Sequence, residues 1–124
     1  NVHARDGGGA TPLHGAASNG HVSCVRDLLA GGADKNARSN DGSTPLHAAA
    51  SVGQLGCLRE LLAAEAEIDL LTHGNSSPLH YACGAGHSEC VLELLAKGAD
   101  REGKSERGLA PLHFACLEGH TACV

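Results

Sequence analysis

A chain of 124 residues with a net charge of −5, its nine Lys and Arg scattered among fourteen acids, has no basic stripe to displace counterions from phosphates, which argues against nucleic acid as a partner. No stretch approaches the roughly 20 apolar residues of a membrane span, and no signal peptide is recognisable. Tyr81 and Phe114 are the only aromatic residues, and Trp and Met are absent; since a large aromatic buries roughly 150–250 Å², this core must rest on many small, similar contacts.

Taken in chain order, Asn1 to Gly9 reads as a polar turn, and Thr11 as a helix N-cap whose hydroxyl can accept an orphan backbone N–H. Pro12 follows at the first helical position, where its missing donor costs nothing. A short helix through Ala16 and Ala17 ends at Gly20, which suits a left-handed turn. A second helix runs from about Ser23 to Ala30, with Val25, Leu28 and Leu29 on one face. Gly32 stops it, and Asp34 to Gly42 leads to the next cap.

The same elements then recur. Thr11-Pro12-Leu13-His14 returns as Thr44-Pro45-Leu46-His47, Ser77-Pro78-Leu79-His80 and Ala110-Pro111-Leu112-His113, at steps of 33 residues without insertion. Gly20, Gly53, Gly86 and Gly119 keep that register, as do the pairs Leu28-Leu29, Leu61-Leu62 and Leu94-Leu95. One helix pair cannot bury both its faces, so neighbours must stack to complete the core. The small pairs Ala16-Ala17, Ala49-Ala50, Ala82-Cys83 and Ala115-Cys116 let first helices approach closely.

The T-P-L-H helix opening, the Gly-His turn, the Leu-Leu pair and the Gly-Ala-Asp segment resemble ankyrin repeats over the whole chain. The resemblance implies an all-α solenoid of stacked helix-turn-helix units with projecting β-hairpin turns. It makes residues 1–124 a single domain, with repeats at about 1–33, 34–66, 67–99 and 100–124. Asn1 aligns inside a hairpin and Val124 halfway through a second helix, so the sequence reads as a piece of a longer array. Local departures are Ser77 and Ala110 at the caps, Glu65 and Asn75 where neighbouring copies have Gly, and Gln54 in place of a turn His.

Two columns invite a chemical reading. His14, His47, His80 and His113 recur at one period, but equivalent positions on adjacent units do not share one site; a structural role, bonding the cap hydroxyl and backbone, is expected, and likewise for His21, His87 and His120. Cys24, Cys57, Cys90 and Cys123 recur on what reads as the inner side of the second helix. Zinc wants four convergent ligands, typically with paired Cys spacing, which is missing. Stacked helices about 8–10 Å apart exceed the roughly 7 Å disulfide reach. Packing is therefore expected, with no metal and no cofactor, and the six unbridged thiols point to a reducing compartment, cytoplasmic or nuclear. Gly7-Gly8-Gly9 precedes no Lys-Ser/Thr pair and is not a phosphate loop. No copy carries a distinctive nucleophile–base pair, so catalytic residues are expected to be absent and the chain is not expected to be an enzyme.

Function should lie where the copies differ. In the ankyrin family, hairpin tips and first helices form a concave groove that binds proteins. On that face the partner-binding candidates are Leu71, His73, Ser76, Tyr81, Lys104, Arg107, Leu109, Phe114, Leu117 and Glu118. The position after the cap His changes from Gly15 and Ala48 to Tyr81 and Phe114, and aromatics are enriched at interface hot spots. Family members are also substrates of an asparaginyl hydroxylase, which makes Asn36, and Asp69 at the equivalent place, hydroxylation candidates. The expected function is a scaffold or adaptor module that binds a protein or peptide and is itself monomeric. The alternatives are a substrate-receptor segment of an ankyrin-and-SOCS-box ubiquitin ligase, or a regulatory segment of a larger enzyme or channel.

Overall fold

The computed structural model describes residues 3–100, which form six helices in three pairs. The pairs are α1 (Pro12–Ser18) with α2 (Val22–Ala30), α3 (Pro45–Val52) with α4 (Leu55–Ala63), and α5 (Pro78–Ala85) with α6 (Ser88–Ala96). Each first helix starts at an extended Thr11, Thr44 or Ser77 followed by Pro. The Thr44 and Ser77 hydroxyls accept the His47 and His80 backbone N–H groups at 3.3 and 3.2 Å, satisfying donors that the first turn leaves orphaned.

The pairs stack in chain order, α1 on α3 on α5 in one layer and α2 on α4 on α6 in the other, with closer packing in the first-helix layer. Ala16, Ala17, Ala49, Ala50, Ala82 and Cys83 are all buried there, and their small side chains permit that approach. Between the layers, Leu13, Leu46 and Leu79 meet Val25, Leu58, Val91, Leu61 and Leu94, all essentially inaccessible to solvent.

The projecting segments differ from the expected β-hairpins: the described residues contain no strand. Each tip is a tight turn closed by two backbone bonds. In the second repeat these run from Ser39 N–H to Ser43 O (2.8 Å) and from Gly42 N–H to Ser39 O (2.9 Å); Thr72–Ser76 and Asn75–Thr72 repeat the pattern. Adjacent tips are joined by one backbone–backbone bond each, Asn40 N–H to Gly8 O and His73 N–H to Asp41 O, both 2.9 Å. One such bond per junction is too little pairing for a ladder. The two departures from glycine fall where the backbone is left-handed: Glu65 has φ 65° against 90° and 94° at Gly32 and Gly98, and Asn75 has φ 62° against 86° at Gly42.

Candidate functional site

The cap histidines are built into the stack. Thr44 N–H donates to His47 Nδ1 at 3.1 Å, and the far ring nitrogen, Nε2, reaches Ser76 O of the next repeat at 2.9 Å. A backbone N–H can only donate and a carbonyl only accept, so the ring is the neutral Nε2–H tautomer. His14 repeats this with Thr11 N–H and Ser43 O (3.1 and 2.8 Å), and His80 Nδ1 accepts from Ser77 N–H at 3.0 Å. Burial depresses the His47 pKa from 6.5 to about 4; the nearby Arg38 and His14 charges add to the drop, while the Ser76 carbonyl and Asp41 oppose it. His14 and His47 thereby join repeats.

Further contacts between neighbours recur at the same period. Arg26 pairs with Glu60 at 2.9 Å and Arg59 with Glu93 at 3.3 Å. His87 Nε2 lies 3.2 Å from Ser51 O, and Gln54 Nε2 donates to Ser18 O at 3.3 Å, so Gln54 does the work of the histidine it replaces. The Arg5 guanidinium donates to Arg38 O at 2.7 Å, and that of Arg38 donates to Leu71 O. Asn36 Oδ1 accepts from Glu67 N–H and Asp69 Oδ1 from Asp100 N–H, both at 2.9 Å, which gives the two hydroxylation candidates a common role as junction staples.

The cysteine column needs correction at its first member. Cys57 and Cys90 are buried, but Cys24 is exposed. Cys57 lies against α1, its thiol donating to Ala16 O at 3.8 Å, whereas no described helix lies ahead of α1 to cover Cys24. Burial raises the thiol pKa of both Cys57 and Cys90. No disulfide joins Cys24, Cys57, Cys83 or Cys90, and no three metal-ligating side chains gather among the described residues.

Of the binding candidates, Leu71 is 39 % exposed at its turn tip and His73 is exposed, its N–H held by Asp41 O. Ser76 is half-buried; its carbonyl receives His47 Nε2 and its N–H donates to Thr72 Oγ1. Tyr81 is half-buried, its ring edge-on to His47 with centroids 5.2 Å apart, so packing does supply one reason for an aromatic there. Leu71 and Tyr81 thus both sit at the junction of the second and third repeats, one through Arg38 and the other through His47. Val52, 49 % exposed at the end of α3, adds an apolar group to the first-helix layer. Lys104, Arg107, Leu109, Phe114, Leu117 and Glu118 lie outside the described residues, as does the Ala110 cap. The sequence reading passed over Leu92, 65 % exposed on α6. Its signal was the column Arg26, Arg59, Leu92, in which a pairing cation gives way to an alkyl group.

Stacked, capped helix pairs with bonded turn tips define a helical repeat protein. The family pattern described as ankyrin repeats (3 copies) matches residues 1–72 and 49–124, and the chain belongs to that family. Ankyrin repeats are protein-interaction modules. No curated protein matches the chain. Among the described residues, no helix is long and apolar enough to cross a membrane.

Proposed function

We propose that this chain binds a partner protein or peptide on its turn-tip and first-helix face, centred on the second-to-third repeat junction and continuing through Phe114 and Leu109. The observation behind this is the cluster of changes at that junction. Leu71 stands exposed where Arg5 and Arg38 occupy the earlier tips, and Tyr81 and Val52 add apolar area to the first-helix layer. Contiguous exposed apolar groups mark interaction surfaces, and aromatic anchors within them carry a large share of binding energy. Of the remaining candidates, Lys104, Arg107 and Glu118 are charged and His73 is polar, and these serve as its rim. In this reading the chain acts by binding, as a monomer, inside the cell.

Alanine scanning against a partner recovered by affinity capture tests this reading. Hot-spot truncation typically costs 2 kcal/mol or more, so Tyr81→Ala and Phe114→Ala should each weaken binding about 30-fold with the melting transition retained. Leu71→Ala should also weaken it, and Ser51→Ala should change it little. Leu92 belongs to the opposite, second-helix layer. Loss of binding on Leu92→Ala alone, with Tyr81→Ala neutral, would move the interface to that layer and overturn the assignment.

A further inference from the structure

The turn between α1 and α2 differs from its two counterparts in one bond. Gly53 N–H donates to Ala49 O at 2.9 Å and Gly86 N–H to Cys83 O at 3.2 Å, but among the described residues Gly20 N–H donates to no group. In register, α1 accordingly ends at Ser18, one residue short of α3 and α5. The bond that closes the turn, His21 N–H to Ala16 O at 3.0 Å, steps over Gly20. Ahead of that free N–H stands Asn19, where the other copies have Val52 and Ala85. Asn19 is exposed, and its carboxamide makes no hydrogen bond among the described residues. Asn19-Gly20 is also the one Asn-Gly pair in the 124 residues, and glycine, with no Cβ, leaves the approach to its nitrogen open. The other described asparagines are held. Asn36 Oδ1 accepts from Glu67 N–H, and the following Ala37 N–H donates to Asp34 O. Asn40 Nδ2 donates to Gly7 O at 3.2 Å, and Asn75 is followed by Ser76, whose N–H donates to Thr72 Oγ1.

We infer that Asn19 is a self-modification site, at which the chain converts its own side-chain amide to a carboxylate with only water and hydroxide as co-reactants. Hydroxide takes the Gly20 amide proton, and that nitrogen attacks Asn19 Cγ. The N–Cγ bond forms, the Cγ–Nδ2 bond breaks, and Nδ2 takes a proton from water and leaves as ammonia. A five-membered succinimide results, and water then adds to one of its two carbonyls. Addition at Cγ gives aspartate; addition at the Asn19 main-chain carbonyl gives isoaspartate, whose backbone runs through Cγ. Ring closure requires Asn19 to leave its ψ of −1°. The attacking nitrogen loses no hydrogen bond in that swing, and the bond given up is His21 N–H to Ala16 O. Both products set a negative charge at the last turn of α1, where the helix dipole opposes it. Isoaspartate also lengthens the main chain beside Ser18 O, which receives Gln54 Nε2, and so loosens the junction of the first two repeats. The site stands independently of the binding face proposed above.

The test holds the purified chain in mildly alkaline buffer, folded and in urea, and maps its peptides over time by mass spectrometry with fragmentation that separates aspartate from isoaspartate. In the folded chain Asn19 should convert about tenfold faster than Asn36, Asn40 or Asn75, to both products, and within about tenfold of its own rate in urea. The aged parent should have a lower urea midpoint than aged Asn19→Gln, whose longer side chain disfavours the ring. Conversion at Asn19 no faster than at the other three, protection by the fold beyond tenfold, or aspartate as the sole product overturns the inference. Equal midpoints of the two aged proteins overturn the loosening.

Discussion

Protonation of His47 offers the sharpest test of the packing scheme. Its ring is fully buried, accepts Thr44 N–H on Nδ1 and directs Nε2–H to Ser76 O. A second proton would have to enter at Nδ1, against an N–H that already points there, with no water to solvate the charge. The pKa accordingly drops from 6.5 to about 4 on folding. Because the folded value is the lower one, the unfolded chain takes up the proton first. The stabilisation is therefore complete above about pH 6.5 and is lost progressively as the pH falls to about 4. At 1.36 kcal/mol per unit, the loss is about 3 kcal/mol, a large part of the 5–15 kcal/mol typical of a domain. Urea titrations of the parent and of His47→Gln at steps between pH 7.5 and 4 isolate this residue, because the other histidines contribute to both proteins and cancel in the difference. The parent's advantage over His47→Gln should shrink by about 3 kcal/mol across that range. An advantage independent of pH, or a native His47 ring signal titrating near 6.5 by NMR, would refute the assignment of tautomer and burial.

Four further outcomes follow from the backbone and junction geometry. Glu65→Gly should raise stability by about 1 kcal/mol, since φ 65° strains an L-residue, and Asn75→Gly should raise it less, because Asn tolerates that region; equal gains in urea melts would contradict the strain argument. Gly42→Ala should cost more than Gly32→Ala, although both have left-handed φ, because a Cβ at residue 42 would lie 3.0 Å from the His73 backbone nitrogen while nothing stands within 4 Å of one at residue 32. Gln54→His should shift the thermal midpoint little, the imidazole of His87 already making the corresponding contact to Ser51 O; a large loss would mean the two positions are not equivalent. Leu58→Ala should destabilise by about 2–5 kcal/mol in calorimetry, as a fully buried leucine leaves a cavity, and a loss below 1 kcal/mol would show the site collapsing.

The repeating unit was legible in the sequence because its determinants are local. A hydroxyl cap, a proline at the first helical position and a glycine at a left-handed turn act within a few residues of themselves, and 33-residue recurrence multiplies each signal. The same locality exposed Glu65 and Asn75 as strained, since aligned copies showed which residue the backbone there prefers. What lay beyond such reading was anything set by a neighbouring repeat. Cys24 and Cys57 are the same residue at the same register, yet one is exposed and the other buried, because α1 covers only the second. Tyr81 reads from sequence as a binding candidate, yet its ring lies against His47 of the repeat before it. Gln54 looked like a defect until its amide was found on Ser18 O. The sequence by itself therefore determined the unit, its caps and its period, since these depend on backbone preferences of the nearest few residues. Only the tertiary structure decided which side chains are buried, paired or left facing solvent, because those depend on contacts made across a junction by residues about 33 positions apart.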